Sequence, residues 1–189
     1  SDSFIIGSMV DEILTSKSGT IGNRFEIVSV RSKGAKEVAA EMGKTLVLNS
    51  QFEEACAMAD AALETEAWQY IKSKGKFQAI LQVEMFLGKH FESLAGKPDV
   101  WWKENGGKTG IIVDLKTAVS ADHRSFYYRA MDYHYHWQQA NYRHLLSILN
   151  PMVREWKCYN FVIGKDKLHT CNLFQYTDDQ LALAENQLM

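Results

Sequence analysis

The order of apolar and polar positions divides the chain into alternating helical and extended stretches. Phe4, Ile5, Met9, Val10, Ile13 and Leu14 fall at roughly helical intervals. Ser16 to Gly22 has the composition of a loop, and Phe25 to Val30 can form a short strand. Lys33 to Gly43 reads as a helix ended by its glycine. Ser50 followed by Glu53 fits a capping box, which predicts a helix running through an Ala-rich stretch to about Leu63. Thr65 can cap a further helical piece that holds Trp68 and Ile71 and closes near Gly75.

Strict alternation then takes over. From Phe77 to Leu87, it sets Leu81, Val83, Met85 and Leu87 on one face and Gln82, Glu84 and Phe86 on the other, predicting the first core strand. His90 to Trp102 is expected to be the second strand. Glu104-Asn105-Gly106-Gly107-Lys108 marks a turn, and Gly110 to Thr117 the third strand. A long helix is predicted over His123 to Leu149, stopped by Asn150-Pro151, with Tyr128, Met131, Tyr135, Gln138, Tyr142, Leu145 and Leu149 as one continuous buried stripe. Lys157 to Ile163 and Leu168 to Phe174 form a strand pair. Asp178 to Leu188 closes the chain as a helix with Thr177 as its cap. Hairpins together with a helical crossover imply an α/β fold around a mixed sheet.

The third strand carries a conflict. Asp114 and Lys116 interrupt Ile111-Ile112-Val113-Asp114-Leu115-Lys116-Thr117, and alternation puts both charges on one face. Charges in an apolar strand are costly unless paired or bound to metal. An edge-strand ion pair would be the plain reading. Upstream, however, stand the Pro98-Asp99 dipeptide and Glu84, each in a predicted strand. Carboxylates on adjacent strands can grip one or two Mg²⁺ ions, and the Leu115 carbonyl offers another hard oxygen. Lys116 can hold an attacking water. Such a set suits hydrolysis of a phosphodiester. On the long helix, Gln138 is the non-aromatic polar member of the buried stripe and needs partners for both amide ends, with Tyr142 one turn on.

Composition limits the alternatives. At 189 residues with 46% hydrophobic and 23% charged positions, one domain with a real core is expected. A net charge of −2 gives no global basic field, although nucleic-acid contact needs only a local basic strip. Cys56, Cys158 and Cys171 are too scattered for a zinc knuckle or a disulfide framework and are expected to be thiols in a reducing cytosol. No apolar run is long enough to span a membrane, and no signal peptide is evident. The chain begins at Ser1 rather than Met, as a fragment or a trimmed chain would.

Taken together, Glu84, Lys97-Pro98-Asp99, Val113-Asp114-Leu115-Lys116-Thr117 and the run Tyr133 to Tyr142 resemble the PD-(D/E)XK nuclease superfamily. The Gln138-x-x-x-Tyr142 motif resembles its RecB-type exonuclease branch. Tyr135, His136, Gln138 and Tyr142 are most similar to phage and prophage exonucleases of the RecE (exodeoxyribonuclease VIII) kind. Phe4 to Asp11 resembles that family's opening helix, and Arg31-Ser32-Lys33 its next segment. Asp11 departs from the family, which often has His there.

The resemblance implies a restriction-endonuclease-like core, a central mixed sheet flanked by helices. Residues 1–75 would be a mainly helical N-terminal part and 76–189 the catalytic core. Glu84, Asp99, Asp114, Lys116, Gln138 and Tyr142 would be catalytic, with Glu84, Asp99, Asp114 and Leu115 holding Mg²⁺ or a substituting Mn²⁺. Arg31, Lys33 and Arg124 would join Gln138 and Tyr142 on DNA. The implied activity is processive 5′-to-3′ digestion of linear duplex DNA by a ring-shaped homo-oligomer, with a single-strand-annealing protein as partner, in the cytoplasm of a bacterium or a phage-infected cell. An endonuclease on the same scaffold and a non-catalytic DNA-binding module are the alternatives.

Three further groups invite over-reading. No two of His134, His136 and His144 stand four apart, so they are expected to face solvent or phosphate rather than zinc. Of Trp101 and Trp102, one is expected in the core and the other near the DNA path. Arg129 and Arg143 share the long helix with Gln138, and Arg24 and Lys36 lie near Arg31.

Overall fold

The computed structural model describes residues 2–16, 21–86 and 91–188. Helix α1 spans Asp2–Thr15 and is followed by a parallel pair of short strands, β1 (Phe25–Val28) and β2 (Thr45–Leu48), joined by α2 (Lys33–Glu41). Ser32 caps α2 through its Oγ, and Gly43 leaves it with φ 65°, a turn that an L side chain resists. Helix α3 covers Asn49–Leu63. Its capping contact comes from Gln51, whose Oε1 accepts from Leu48 N at 3.0 Å, rather than from the predicted Ser50–Glu53 pair. Thr65 caps α4 (Glu66–Lys74) as predicted, accepting from Trp68 N at 3.1 Å.

The central sheet has five strands in the order β3-β6-β7-β8-β9: Lys76–Phe77, Val100–Glu104, Thr109–Ala118, Glu155–Gly164 and Cys171–Gln175. β7 and β8 run parallel and the other pairs antiparallel, so the sheet is mixed. β4 (Leu81–Phe86) and β5 (Phe91–Gly96) pair with each other in a separate sheet. The expected strands Phe77 to Leu87 and His90 to Trp102 are therefore each broken in two. Asp99 and Pro98 interrupt the second: proline has no N–H for a ladder, and the chain leaves one sheet before it and joins the other after it. Leu87 and His90 lie outside the described residues.

The helix predicted over His123 to Leu149 is also two helices, α5 (His123–Asp132) and α6 (Tyr135–Leu149). His134 separates them with φ 55° and ψ 36°, a left-handed conformation that ends one helical path and starts another. The predicted stripe consequently fails at its ends, where Tyr128 and Leu149 are exposed. α5 instead buries Phe126 and Ala130, and α6 buries His136, Gln139, Ala140, Tyr142, Leu145 and Leu146. α7 (Asp178–Leu188) closes the chain, with Thr177 Oγ1 accepting from Gln180 N and Gln180 Oε1 from Thr177 N.

Alternation along β7 fixes the layers. Ile111, Val113 and Leu115 pack against α1, α3 and α4 with Met9, Met58 and Trp68, while Ile112 packs toward α6 and α7 with Leu145, Leu146 and Leu181. Helices thus cover both faces of the sheet. Trp101 and Trp102 are both buried, on opposite sides. Trp102 Nε1 donates to Glu104 Oε1 at 2.8 Å. Two close approaches hold the layers. A Cβ on Gly110 would stand 2.2 Å from the Trp156 ring, and one on Gly7 would stand 2.8 Å from Thr117 Oγ1, so α1 lies directly on the end of β7. Among the described residues no helix is long and apolar enough to cross a membrane.

Candidate active site

A cleft of about 580 Å³ opens where α1, β7, α6 and the Lys97–Asp99 break converge. Asp11, Lys97, Asp99, Asp114, Leu115, Lys116, Gln138 and Tyr142 are among its lining residues. The structure brings Asp99, Asp114, Leu115, Lys116, Gln138 and Tyr142 together.

Asp114 and Lys116 share the face of β7 that looks toward α6, as alternation requires. Lys116 Nζ donates to Asp114 Oδ2 and, at 3.0 Å, to Gln138 Oε1, and it lies 4.8 Å from the Tyr135 ring centre. Gln138 Nε2 donates to Tyr142 Oη at 2.8 Å, and Tyr142 Oη donates to the Lys97 carbonyl at 3.1 Å. The one-turn spacing of Gln138 and Tyr142 on α6 builds this chain, and both ends of the Gln138 amide are satisfied.

Asp99 sits at the break before β6. Its Oδ2 accepts the Leu115 N–H at 2.7 Å and its Oδ1 accepts from Gln78 Nε2 at 3.3 Å. Gln78 Nε2 also donates to Asp11 Oδ1 at 3.2 Å and Thr15 Oγ1 at 3.1 Å. One amide nitrogen therefore ties α1 to the break before β6 across the acidic cleft. Gln78 adopts φ 50°, a left-handed position found at sites where the fold over-determines the backbone.

The carboxylates disturb one another. Burial pushes Asp99 well above the usual carboxylate range, and the charges of Asp114 and Asp11 push it further, against the Leu115 hydrogen bond. Burial and then the Asp114 charge also raise Asp11. Burial alone would lower Lys116, but its charge contact and hydrogen bond to Asp114 carry it above its ordinary value. Burial raises the Tyr142 phenol, keeping it protonated as a donor.

Behind the cleft, Asp114 is 1% exposed and faces Asn160 across the β7–β8 ladder. Asn160 Nδ2 donates to Asp114 Oδ2 and to the Asp114 carbonyl, each at 3.3 Å, and Tyr176 Oη donates to Asn160 Oδ1 at 2.5 Å. Asp114 is thus gripped by an ammonium from the front and an amide from behind.

Glu84 is not part of this cleft. It pairs with Ser93 in the β4–β5 hairpin and is exposed. The alternation was read correctly, but the hairpin packs on α6 through Val83 and Leu94, which turns Gln82 and Glu84 outward. Asp11 supplies the further cleft carboxylate instead. Arg31, Lys33 and Arg124 also lie elsewhere. Arg31 donates to Asp2 and Gln51, both at 3.1 Å, Lys33 pairs with Glu37 at 3.9 Å, and Arg124 is exposed on α5. Arg143 is held by Glu185 at 2.9 Å and Asp178 at 3.2 Å, whereas Arg129 lines the cleft. His136 is 3% exposed rather than solvent-facing, and His134 and His144 are exposed.

The sequence reading missed Gln78, Asn160 and Tyr176. Asn160 had one signal, a polar residue within the apolar run Tyr159 to Ile163 of a central strand. Gln78 had none, because its role depends on the left-handed turn between β3 and β4.

Asp11, Asp99, Asp114 and the Leu115 carbonyl supply hard oxygen donors, the chemistry that Mg²⁺ and Mn²⁺ prefer. Among the described residues, no three acidic, His or Cys side chains are already gathered closely enough to enclose a cation. Lys116 and Gln78 instead neutralise and space the carboxylates. The donor set fits a hard divalent cation.

The sequence profile of the family described as "PDDEXK-like domain of unknown function (DUF3799)" matches residues 1–188. No curated protein matches the chain in sequence. Among solved structures, the fold is similar to a Eubacterium rectale protein named "Putative exonuclease", with a TM-score of 0.68 and 18% identity, covering 100% of this chain and 64% of that one. The chain therefore spans less than two thirds of that protein's length. A second structure, SSO0001, has a TM-score of 0.42 and 14% identity, covering 98% of this chain and 84% of that one.

Proposed function

The chain belongs to the PDDEXK-like family DUF3799, within the PD-(D/E)XK superfamily, and we propose that it is a Mg²⁺-dependent deoxyribonuclease that degrades linear double-stranded DNA from an end. The observation that carries this reading is the unbroken chain Asp114–Lys116–Gln138–Tyr142–Lys97 carbonyl beside Asp99 in one cleft.

Each residue has a distinct task. Asp99, fixed by the Leu115 N–H, and Asp114, fixed by Asn160, present carboxylate oxygens to the cleft together with the Leu115 carbonyl and Asp11. When bound there, a hard divalent cation offsets charge on the scissile phosphate and acidifies water. Lys116, kept charged by Asp114, orients the attacking water and stabilises its deprotonated form. Gln138 fixes the Lys116 ammonium, and Tyr142 fixes Gln138, so the donor does not have to reorganise during the reaction.

The RecE-like features of the sequence support a finer reading: 5′-to-3′ processive digestion in phage-type recombination, a ring-shaped homo-oligomer, and a single-strand-annealing protein that receives the 3′ tails. The test is digestion of linear duplex, closed circular duplex and single-stranded DNA, labelled at one 5′ end, with Mg²⁺ and with EDTA. Mg²⁺-dependent loss of linear duplex with circles spared is expected, and early release of the 5′ label fixes the polarity. Nicked circles would replace the exonuclease with an endonuclease, and no cleavage of any substrate would leave a DNA-binding module.

A further inference from the structure

Tyr133 and Tyr135 lie face to face, with ring centres 5.8 Å apart and planes 17° from parallel. Residues two apart on a continuous helix point away from each other. These two stack because His134 between them takes the left-handed conformation that divides α5 from α6. Such backbone is costly for a residue with a side chain; here the His134 ring stacks on Trp137 at 4.4 Å and Tyr135 packs against the core, while Tyr133 is left 64% exposed.

The stack has a direction. Lys116 Nζ lies 4.8 Å from the centre of the Tyr135 ring, at the cleft floor. The Arg129 guanidinium lies 5.9 Å from the centre of the Tyr133 ring, at the mouth. A cation thus stands near each of the two stacked rings, Lys116 at Tyr135 and Arg129 at Tyr133. Arg129 forms no ion pair among the described residues and lines the cleft, leaving its charge available to a phosphate. On the α1 side, the cleft is lined by Phe4, which is 75% exposed.

A paired base has both faces covered by its neighbours, while an unpaired one offers a face to an aromatic ring. We propose that Tyr133, with Arg129 and Phe4, binds unpaired nucleotides of the strand entering the cleft, so that DNA ends carrying unpaired nucleotides are the preferred substrate. This rests on the nuclease reading of the same cleft. Tyr133 supplies the stacking surface once Arg129 turns from its ring to the adjoining phosphate, and Tyr135 backs the stacked ring beside Lys116.

Binding is measured in EDTA by fluorescence anisotropy with a single strand, a blunt duplex and a duplex with a short unpaired tail, each with 2-aminopurine near the 5′ end. The single strand and the tailed duplex are expected to bind more tightly than the blunt duplex, with quenching of 2-aminopurine. Tyr133→Ala should weaken that binding about 5- to 100-fold, the loss of one stacked base, and abolish the quench. Tyr133→Trp should keep both. Arg129→Gln should reduce the logarithmic salt slope by about 0.7, one phosphate contact on a single strand. Tyr70→Ala, at an exposed tyrosine outside the cleft, should change nothing. Equal affinity for blunt and tailed DNA, or an unchanged quench in folded Tyr133→Ala, overturns the proposal. Mg²⁺-dependent cleavage is assayed in parallel. Cleavage with no dependence on Tyr133 removes the stacking role alone, and stacking without cleavage removes the nuclease alone.

Discussion

Replacing Asp99 with asparagine tests the electrostatics of the cleft directly. Asp99 is held above its ordinary range by burial and by Asp114 and Asp11, so the folded protein without metal binds protons there more tightly than the unfolded chain does. For a carboxyl with a raised folded pKa, stability is greatest below its unfolded value, near pH 4, and falls as pH rises toward the folded value. Each unit of that shift costs about 1.4 kcal/mol at neutral pH, and a chain of this size loses about 2–4 °C of Tm per kcal/mol. Asparagine keeps the shape and an oxygen for the Leu115 N–H at 2.7 Å, and gives up only the longer 3.3 Å acceptance from Gln78 Nε2, which retains Asp11 and Thr15. In EDTA, Asp99→Asn should therefore melt several degrees above the parent at pH 7.5, and the gap should close near pH 4. With Mg²⁺ the order reverses. At 100 times its Kd, a cation stabilises the parent by about 2.7 kcal/mol, or roughly 5–10 °C, and the variant should show almost none of that shift and almost no cleavage. Differential scanning fluorimetry over pH, with and without Mg²⁺, reads all of this. A metal-free variant that melts at or below the parent at pH 7.5, or that retains the full Mg²⁺ shift, refutes the reasoning.

Three other substitutions probe particular parts of the structure. Glu84→Gln should leave DNA cleavage within about twofold, because the side chain is exposed outside the cleft, and a loss beyond tenfold in a steady-state assay would return Glu84 to the site. Asn160→Ala removes the rear grip on Asp114 and leaves Tyr176 without its acceptor. It should cost about 1–3 kcal/mol in urea unfolding and about 10–100-fold in cleavage, and wild-type turnover would show that Asp114 does not need this support. Gly110→Ala forces a methyl to within 2.2 Å of the Trp156 ring and should cost about 1–3 kcal/mol by the same measurement; an unchanged midpoint would mean that the ring has room to move.

How much of this was legible in the sequence varies residue by residue. Asp114 and Lys116 could be placed on one face because strand alternation is a local rule, and Gln138 and Tyr142 because helix spacing is another. Asp99 was found through its proline, which also ended the strand, a consequence the strand prediction overlooked. Glu84 failed for a different reason. Its face was read correctly, but the β4–β5 hairpin leaves the central sheet and packs on α6, far along the chain, which turns that face to solvent. His134 broke a helix whose apolar spacing suggested continuity, and no glycine or proline marked the break. Gln78 and Asn160 act through partners that only the tertiary fold brings near.

The contact between Gly7 and Thr117 bears on when the protein becomes capable of chemistry. Asp11 lies on a helix that the ribosome makes before Asp99 and before the strand that carries Asp114 and Lys116. The two are joined only when α1 seats against β7 with no side chain between them. A nascent chain therefore carries an incomplete acidic set until β7 has emerged and closed on α1. Nuclease competence would then be a property of the finished fold, with the assembly of the cleft acting as a safeguard for nucleic acid close to the site of synthesis.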